Sequence, residues 1–140
     1  MPEYTQQDLA NTFLPIGEML QLTAINEINN GTIVAERILS KNDWVFPLHF
    51  PGDPIFPGSL LIEGAGQVIA LWGWHSGLRG KPRLVRVTAE FKSPVSMLDE
   101  LVTFKGTLVK RNNMCVGTVD IMIGDRYVGK VSGSIVIIQE

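Results

Sequence analysis

The chain has 140 residues, is 45% hydrophobic, and carries 12 Lys+Arg against 14 Asp+Glu for a formal net charge of −2. We expect one domain spanning residues 1–140, because a chain of this length leaves a second domain undersized. The slightly acidic balance excludes a strongly basic nucleic-acid binder. A charged fraction of 19% beside the high apolar fraction argues against wholesale disorder.

The cysteine and histidine content restricts disulfide and metal chemistry. Cys115 is the single cysteine, so no internal disulfide can form, and with His49 and His75 it makes too small a set for tetrahedral zinc. The N-terminus lacks the pattern of a signal peptide, and no apolar run approaches the roughly 20 residues of a transmembrane helix. We therefore expect a soluble, cytoplasmic protein that needs no metal.

The N-terminal part predicts a short helix followed by a hairpin. Residues 5–13 favour a helix, because a cap-forming threonine precedes an aspartate in the first turn. Residues 19–28 alternate apolar and polar side chains, which indicates a half-buried strand. Asn30 and Gly31 both tolerate positive φ and so favour a tight turn. Residues 32–39 should then return antiparallel.

The central part combines a proline loop with one long helix. Residues 42–57 contain four prolines, which precludes a regular helix and disfavours a sheet interior. Gly58–His75 is apolar on almost every side, the pattern of a buried helix. Gly64 and Gly66 each cost about 1 kcal/mol inside a helix relative to alanine. We expect tertiary packing to offset that cost, most simply where sheet backbone or a ligand approaches the helix.

The C-terminal part predicts four strands separated by turns. They span residues 83–91, 101–110, 115–123 and 127–138. A hairpin, one buried helix and a meander do not form a parallel βαβ repeat. The predicted class is α+β, with an antiparallel sheet packed on one helix.

The residues that carry chemistry lie between His49 and Glu63. A stiff loop presents His49 and then enters the helix at Gly58, where the first N–H groups have no internal partner and lie at the positive end. Glu63 follows on an otherwise apolar helix, where desolvation favours the protonated carboxyl group. A base, an acid and an N–H donor suit removal of a proton α to a carbonyl with loss of a leaving group at the β carbon.

This segment resembles the motif of the hotdog-fold β-hydroxyacyl-acyl carrier protein dehydratases of fatty-acid synthesis (FabZ/FabA type). That motif is a histidine, then Phe-Pro-Gly-x-Pro-x-x-Pro-Gly, then an acidic residue fourteen positions after the histidine. His49, the whole proline-glycine frame and Glu63 match it. Gln67 matches a glutamine that the family carries one turn later, and weaker agreement extends from Asn42 to the C-terminus.

The resemblance implies a hotdog fold, in which the sheet wraps around the long central helix, and a homodimer or higher oligomer with two interfacial sites. It implies that His49 acts as the base together with Glu63 of the partner subunit as the acid. It further implies that the Gly58 N–H binds the thioester carbonyl and that the Ile55 backbone carbonyl fixes the His49 tautomer. For Gln67, an orienting hydrogen bond and a structural one stay open.

The resemblance also implies an acidic acyl carrier protein as the partner that brings the substrate. Lys110 and Arg111 align with basic residues that relatives use for this docking, although a solvated surface is the alternative for them. A second basic cluster follows the central helix at Arg79, Lys81 and Arg83. No cofactor is expected, because the pantetheine arm belongs to the substrate.

The predicted function is dehydration of 3-hydroxyacyl-acyl carrier protein thioesters to trans-2-enoyl thioesters. Residues 16–22 lack an aromatic residue and two arginines typical of the family, and Gly64 and Gly66 replace family alanines. These departures favour a specialised pathway, such as polyene or polyketide synthesis, over housekeeping fatty-acid synthesis. Two alternatives are a hotdog thioesterase, in which Glu63 activates water, and a catalytically silent dimer partner of an active dehydratase.

Overall fold

The computed structural model describes residues 2–139. Its strands are β1 (Tyr4–Thr5), β2 (Ala24–Ile28), β3 (Thr32–Ile38), β4 (Lys81–Phe91), β5 (Leu101–Arg111), β6 (Met114–Ile123) and β7 (Arg126–Ile138). Its helices are α1 (Gln6–Leu9), a 3₁₀ turn (Gly17–Met19) and α2 (Gly58–His75). Within these residues, seven strands form one antiparallel sheet in the order β1-β2-β3-β5-β6-β7-β4.

Helix α2 has the predicted bounds and packs on the sheet, so the α+β class is confirmed. The strands beneath it alternate, with one side chain turned toward the helix and the next turned away. Their inward side chains and those of α2 form one hydrophobic core. Among residues 2–139, no helix is long and apolar enough to cross a membrane.

Two glycines of α2 explain how closely the helix approaches the sheet. A Cβ added at Gly64 would lie 2.8 Å from Cζ of Phe104, and one added at Gly73 would lie 2.6 Å from Sγ of Cys115. These separations are too short for real contacts, so tertiary packing requires glycine at both positions. Cys115 is fully buried, and this burial raises the pKa of its thiol.

The N-terminal helix is shorter than the predicted residues 5–13. Thr5 caps α1 as expected, in a reciprocal pair with Asp8. The hydrogen bonds that the Thr5 backbone N–H and hydroxyl donate to Oδ2 of Asp8 lower the pKa of the Asp8 carboxyl group. The helix ends at Leu9 because the chain turns there, with the Thr12 hydroxyl donating to the Leu9 carbonyl at 2.7 Å.

The predicted strand over residues 19–28 begins only at Ala24. The preceding segment instead runs across α2, because Gln21 is tied there by side-chain and backbone hydrogen bonds. Its Nε2 donates to the Glu18 carbonyl at 2.9 Å, and its backbone N–H donates to Oε1 of Gln67 at 2.8 Å. The alternation of apolar residues indicated that this segment is partly buried, but it did not indicate that the segment crosses α2.

The β2–β3 hairpin forms where it was predicted, but not for the predicted reason. Neither Asn30 nor Gly31 is among the described residues with positive φ. The Asn29 side chain holds the turn instead, since its Oδ1 accepts hydrogen bonds from the backbone N–H groups of Gly31 and Thr32 at 3.1 and 2.9 Å.

The four C-terminal strands are confirmed, with ends that differ by at most two residues from the prediction. The β5–β6 turn places Asn112 at φ 56°, and the β6–β7 turn places Gly124 at φ 58°. Strand β4 lies at an edge of the sheet and is exposed along almost its whole length.

The proline loop, residues 42–57, is anchored by two buried phenylalanines and one buried ion pair. The rings of Phe46 and Phe56 meet edge to face, 6.2 Å apart. Arg37 of β3 donates to Oδ2 of Asp43 at 2.8 Å, and its guanidinium lies 5.1 Å from the Phe56 ring centre. The Arg37 and Asp43 side chains are only 10% and 11% exposed. Arg37 therefore ties the loop to the sheet through a charge that little solvent reaches.

We predict that Arg37→Met lowers the free energy of unfolding by about 3–5 kcal/mol, because it leaves the buried Asp43 carboxylate without its cation. Urea unfolding at one fixed protein concentration measures this change. The control is Arg126→Met, which removes an ion pair with Asp99 of the same 2.8 Å length but with Arg126 45% exposed. Loss of the Arg126–Asp99 ion pair should lower the free energy of unfolding by at most about 1 kcal/mol. Equal losses in the two variants would contradict the anchoring role of Arg37.

Candidate active site

His49 is half-buried in the proline loop and is held by its own backbone and by its ring. Its N–H donates to the Val45 carbonyl at 3.0 Å, and its carbonyl accepts from the Ile55 N–H at 2.8 Å. The imidazole stacks on the Phe50 ring, with centres 4.0 Å apart. These contacts fix the histidine at the point where the loop turns back toward α2.

The tautomer of His49 follows from one further hydrogen bond. Nδ1 lies 2.9 Å from the Ile55 carbonyl oxygen. Because a carbonyl can only accept, the neutral imidazole carries its hydrogen on Nδ1 and keeps a lone pair on Nε2. The predicted contact between Ile55 and His49 is therefore present, and it leaves Nε2 able to accept a proton.

Glu63 is half-buried on the second turn of α2, and Gln67 orients it. Nε2 of Gln67 donates to Oε2 of Glu63 at 2.8 Å and to the Met19 carbonyl at 2.7 Å. Oε1 of Gln67 accepts from the Gln21 N–H at 2.8 Å, which fixes the direction of the amide. Gln67 thus makes both kinds of contact: it holds residues 19–21 onto the helix and donates a hydrogen bond to the Glu63 carboxyl group.

The hydrogen bond from Gln67 determines which oxygen of Glu63 can carry a proton. Because Oε2 accepts from Gln67, a proton on the carboxyl group belongs on Oε1. Glu63 lines a cavity of about 270 Å³ that is bounded by α2, residues 14–15 and strands β4 and β7. Gln67 and Ser59 join Glu63 in that cavity as polar groups, and the remaining lining is apolar apart from backbone.

Gly58 begins α2 and lines a second cavity of about 360 Å³, together with Ile55 and Phe91. The N-cap is Pro57, whose side chain cannot accept a hydrogen bond from the first N–H groups of the helix. A Cβ added at Gly58 would lie 3.1 Å from Cε2 of Phe91. Glycine therefore suits both the packing and the approach of a ligand oxygen to the backbone.

The structure does not bring His49 and Glu63 into one cavity within a single chain. Glu63 lines the first cavity, whereas Ile55 and Gly58 line the second, and His49 lines neither. The two halves of the predicted site are adjacent in sequence but line no common cavity among those described. Among residues 2–139, no group of three or more His, Cys, Asp or Glu side chains could hold a metal ion.

Sequence reasoning missed two residues that support the site, Gln21 and Arg37. Gln21 is 1% exposed, and its Oε1 accepts from Nε of Arg37 at 3.2 Å. A polar path therefore leads from the Arg37–Asp43 ion pair through Gln21 to Gln67 and Glu63. One signal was available: in β3, Arg37 shares the inward face with the fully buried Ile33 and Ala35, and an inward charge requires a partner.

Lys110 and Arg111 lie at the exposed end of β5, beside the C-terminal end of α2. Nζ of Lys110 donates to the Ser76 carbonyl at 3.4 Å, and the Arg79 guanidinium lies 3.8 Å from the Trp74 ring centre. The two predicted basic clusters are thus brought to the same end of the molecule. This end is opposite to the one where Gly58 begins the helix.

Solved structures share this arrangement of helix and sheet. The dehydratase heterocomplex ApeI:P from Xenorhabdus doucetiae superposes with a TM-score of 0.78 at 13% identity, covering 100% of this chain and 93% of that one. The sigma28-regulated virulence protein Cj0977 from Campylobacter jejuni gives 0.72 at 13%, covering 100% and 97%. A thioesterase, SAV0944 from Staphylococcus aureus, gives 0.66 at 13%, covering 82% and 92%. At these identities the likeness establishes the fold.

A family model provides the sequence-level comparison. The model of the FabA-like domain matches residues 10–132, which is most of the chain and includes both halves of the predicted site. The protein therefore belongs to the FabA-like family and has the hotdog fold.

Proposed function

We propose that the protein dehydrates 3-hydroxyacyl thioesters carried on acyl carrier protein to trans-2-enoyl thioesters, in fatty-acid synthesis or a related polyene or polyketide pathway. The observation that carries this proposal is the hydrogen bond between Nδ1 of His49 and the Ile55 carbonyl. That bond leaves Nε2 as a base, which a thioesterase using Glu63 alone would not need. Membership of the FabA-like family supports the same reaction.

The proposed reaction is a single β-elimination. Nε2 of His49 takes the proton from C2, and the electrons of that bond form the C2–C3 double bond. The bond from C3 to its hydroxyl oxygen breaks while Oε1 of Glu63 gives that oxygen a proton, so that water leaves. The Gly58 N–H stabilises the charge that develops on the thioester carbonyl, a contribution typically worth about 3 kcal/mol. Solvent exchange then returns the proton from His49 to Glu63.

The proposed site is shared between two copies of the chain. Strand β4 is an eleven-residue edge strand whose outer backbone groups can pair with a second β4 about a two-fold axis. Exposed apolar side chains there include Leu84 at 52% and Val85 at 58%. Pairing along this edge adds the partner's surface beside the Glu63 cavity, which β4 itself helps to line. The composite site is supported by the finding that His49 does not line the Glu63 cavity within one chain.

The proposed partner is an acidic acyl carrier protein that docks on Lys110, Arg111 and the neighbouring basic cluster. Such charges steer association and lose strength with added salt. Ser76, which Lys110 contacts, lies thirteen residues beyond Glu63 on the helix, about 20 Å along its axis. A flexible prosthetic arm on the carrier would have to span a separation of that order.

We expect His49→Ala and Glu63→Gln each to lower kcat at least about 100-fold, because each removes one of the two proton-transfer groups. The assay follows loss of water from a panel of 3-hydroxyacyl-carrier proteins by intact-protein mass spectrometry. His75→Ala is the matched control, since this exposed histidine contacts Tyr4 at the far end of α2. Full activity in either site variant would refute the assignment, and release of free acid would indicate a thioesterase.

Mixed dimers test whether the site is shared. Coexpressed His49→Ala and Glu63→Gln chains should recover about one quarter of wild-type activity, because half of randomly formed dimers hold one intact site of two. Each variant purified alone is the control. Sites contained within one chain would give no recovery on mixing.

The docking proposal predicts a change that depends on the carrier. The double variant Lys110→Glu, Arg111→Glu should raise KM for a carrier-bound substrate and weaken its dependence on salt, because attraction to an acidic partner is lost. KM for the same acyl group on free pantetheine should stay unchanged. Lys105→Glu, an exposed position on the same strand, serves as the control. An equal rise for both substrates would contradict docking at Lys110 and Arg111.

A further inference from the structure

The glycines of α2 differ in what surrounds them. At Gly64 and Gly73 an added Cβ would lie 2.8 and 2.6 Å from a neighbouring side chain, so packing within the chain requires glycine, and at Gly58 it would make a tight contact of 3.1 Å with the Phe91 ring. At Gly66 the nearest atom to an added Cβ is Cδ1 of Ile135, at 4.0 Å. Nothing in the described part of the chain therefore demands glycine at position 66.

A glycine inside a helix is unfavourable, so its presence at position 66 needs another reason. Gly66 is half-buried, and it lines the same cavity of about 270 Å³ as Glu63. A side chain at this position would project from the helix toward that cavity rather than into the core. The absence of a side chain at Gly66 therefore enlarges the cavity.

The position of Gly66 relative to Glu63 indicates what uses this space. Gly66 lies three residues beyond Glu63, about 4.5 Å along the helix, and Ala70 lies about 10 Å beyond Glu63. Both small residues line the cavity, and Leu84 and Ile135 line it as well. The cavity is thus polar at Ser59, Glu63 and Gln67, and its remaining lining, including Ala70 further along the helix, is apolar.

We propose that Gly66 determines which acyl chains the enzyme accepts, by leaving room for the carbon atoms beyond C3. This inference rests on the proposed function, in which Glu63 protonates the C3 hydroxyl. A four-carbon substrate ends one carbon after C3 and hardly extends past Glu63. Longer chains continue through the apolar part of the cavity and pass over Gly66, so that the size of residue 66 sets their fit.

The test compares Gly66→Ala and Gly66→Leu with wild type on carrier-bound 3-hydroxyacyl substrates of four to twelve carbons. The ratio of kcat/KM for long chains to that for the four-carbon chain should fall about 10-fold in Gly66→Ala and further in Gly66→Leu, the scale for a methylene-sized change in a hydrophobic pocket. Gly66→Ala should also raise Tm, because alanine replaces a helical glycine without a clash. Gly64→Ala is the matched control: it should lower Tm and keep the chain-length ratio.

Calorimetry with saturated acyl-pantetheine thioesters of four and ten carbons separates this inference from the proposed function. Weaker binding of the ten-carbon probe in Gly66→Leu supports the role of Gly66 even if wild type dehydrates no substrate, in which case the proposed function alone fails. An unchanged chain-length ratio and unchanged ten-carbon binding in both variants would overturn the inference. Loss of the dimer in Gly66→Ala, by light scattering, would also overturn it, because the partner chain would then fill the space.

Discussion

The burial of α2 against the sheet is the constraint on which the rest of the structure depends. An eighteen-residue helix that is apolar on nearly all sides is stable only if other elements cover it. The sheet does so closely enough that Gly64 and Gly73 leave no room for a methyl group. This close contact fixes the helix in position and rotation. It consequently also fixes the direction in which Gly58 presents its N–H and the cavity into which Glu63 turns.

The proline loop is positioned by a second, smaller set of interactions. Arg37 is a charge on the inward face of β3, and its ion pair with Asp43 and its contact with the Phe56 ring hold the loop onto the sheet. The same guanidinium donates a hydrogen bond to the side chain of Gln21. The loop that carries His49 and the segment that orients Gln67 are therefore held by one buried cation. In a composite dimer, each chain would supply one half of each site from elements secured through this residue.

The sequence predicted the elements well where the pattern is local. The bounds of α2 and the C-terminal strands follow from periodicity and turn residues, and the structure agrees with them. The prediction was wrong where a side chain overrides the pattern. Residues 19–23 are not a strand because Gln21 is bonded to the helix, and the β2–β3 turn depends on the Asn29 side chain rather than on positive φ. Such contacts join residues whose proximity only folding creates.

The sequence by itself determined the family, the motif from His49 to Glu63, and the helix that follows the proline loop. All three depend on residue type and on spacing along the chain. Tertiary structure decided the rest. It placed Glu63 beside one cavity and Ile55 and Gly58 beside another, buried Arg37 between the proline loop and Gln21, and distinguished Gly64, which packing requires, from Gly66, which faces open space. The physical reason is that spacing constrains only neighbours along a helix or strand. Strand order and helix–sheet packing decide what stands opposite each side chain.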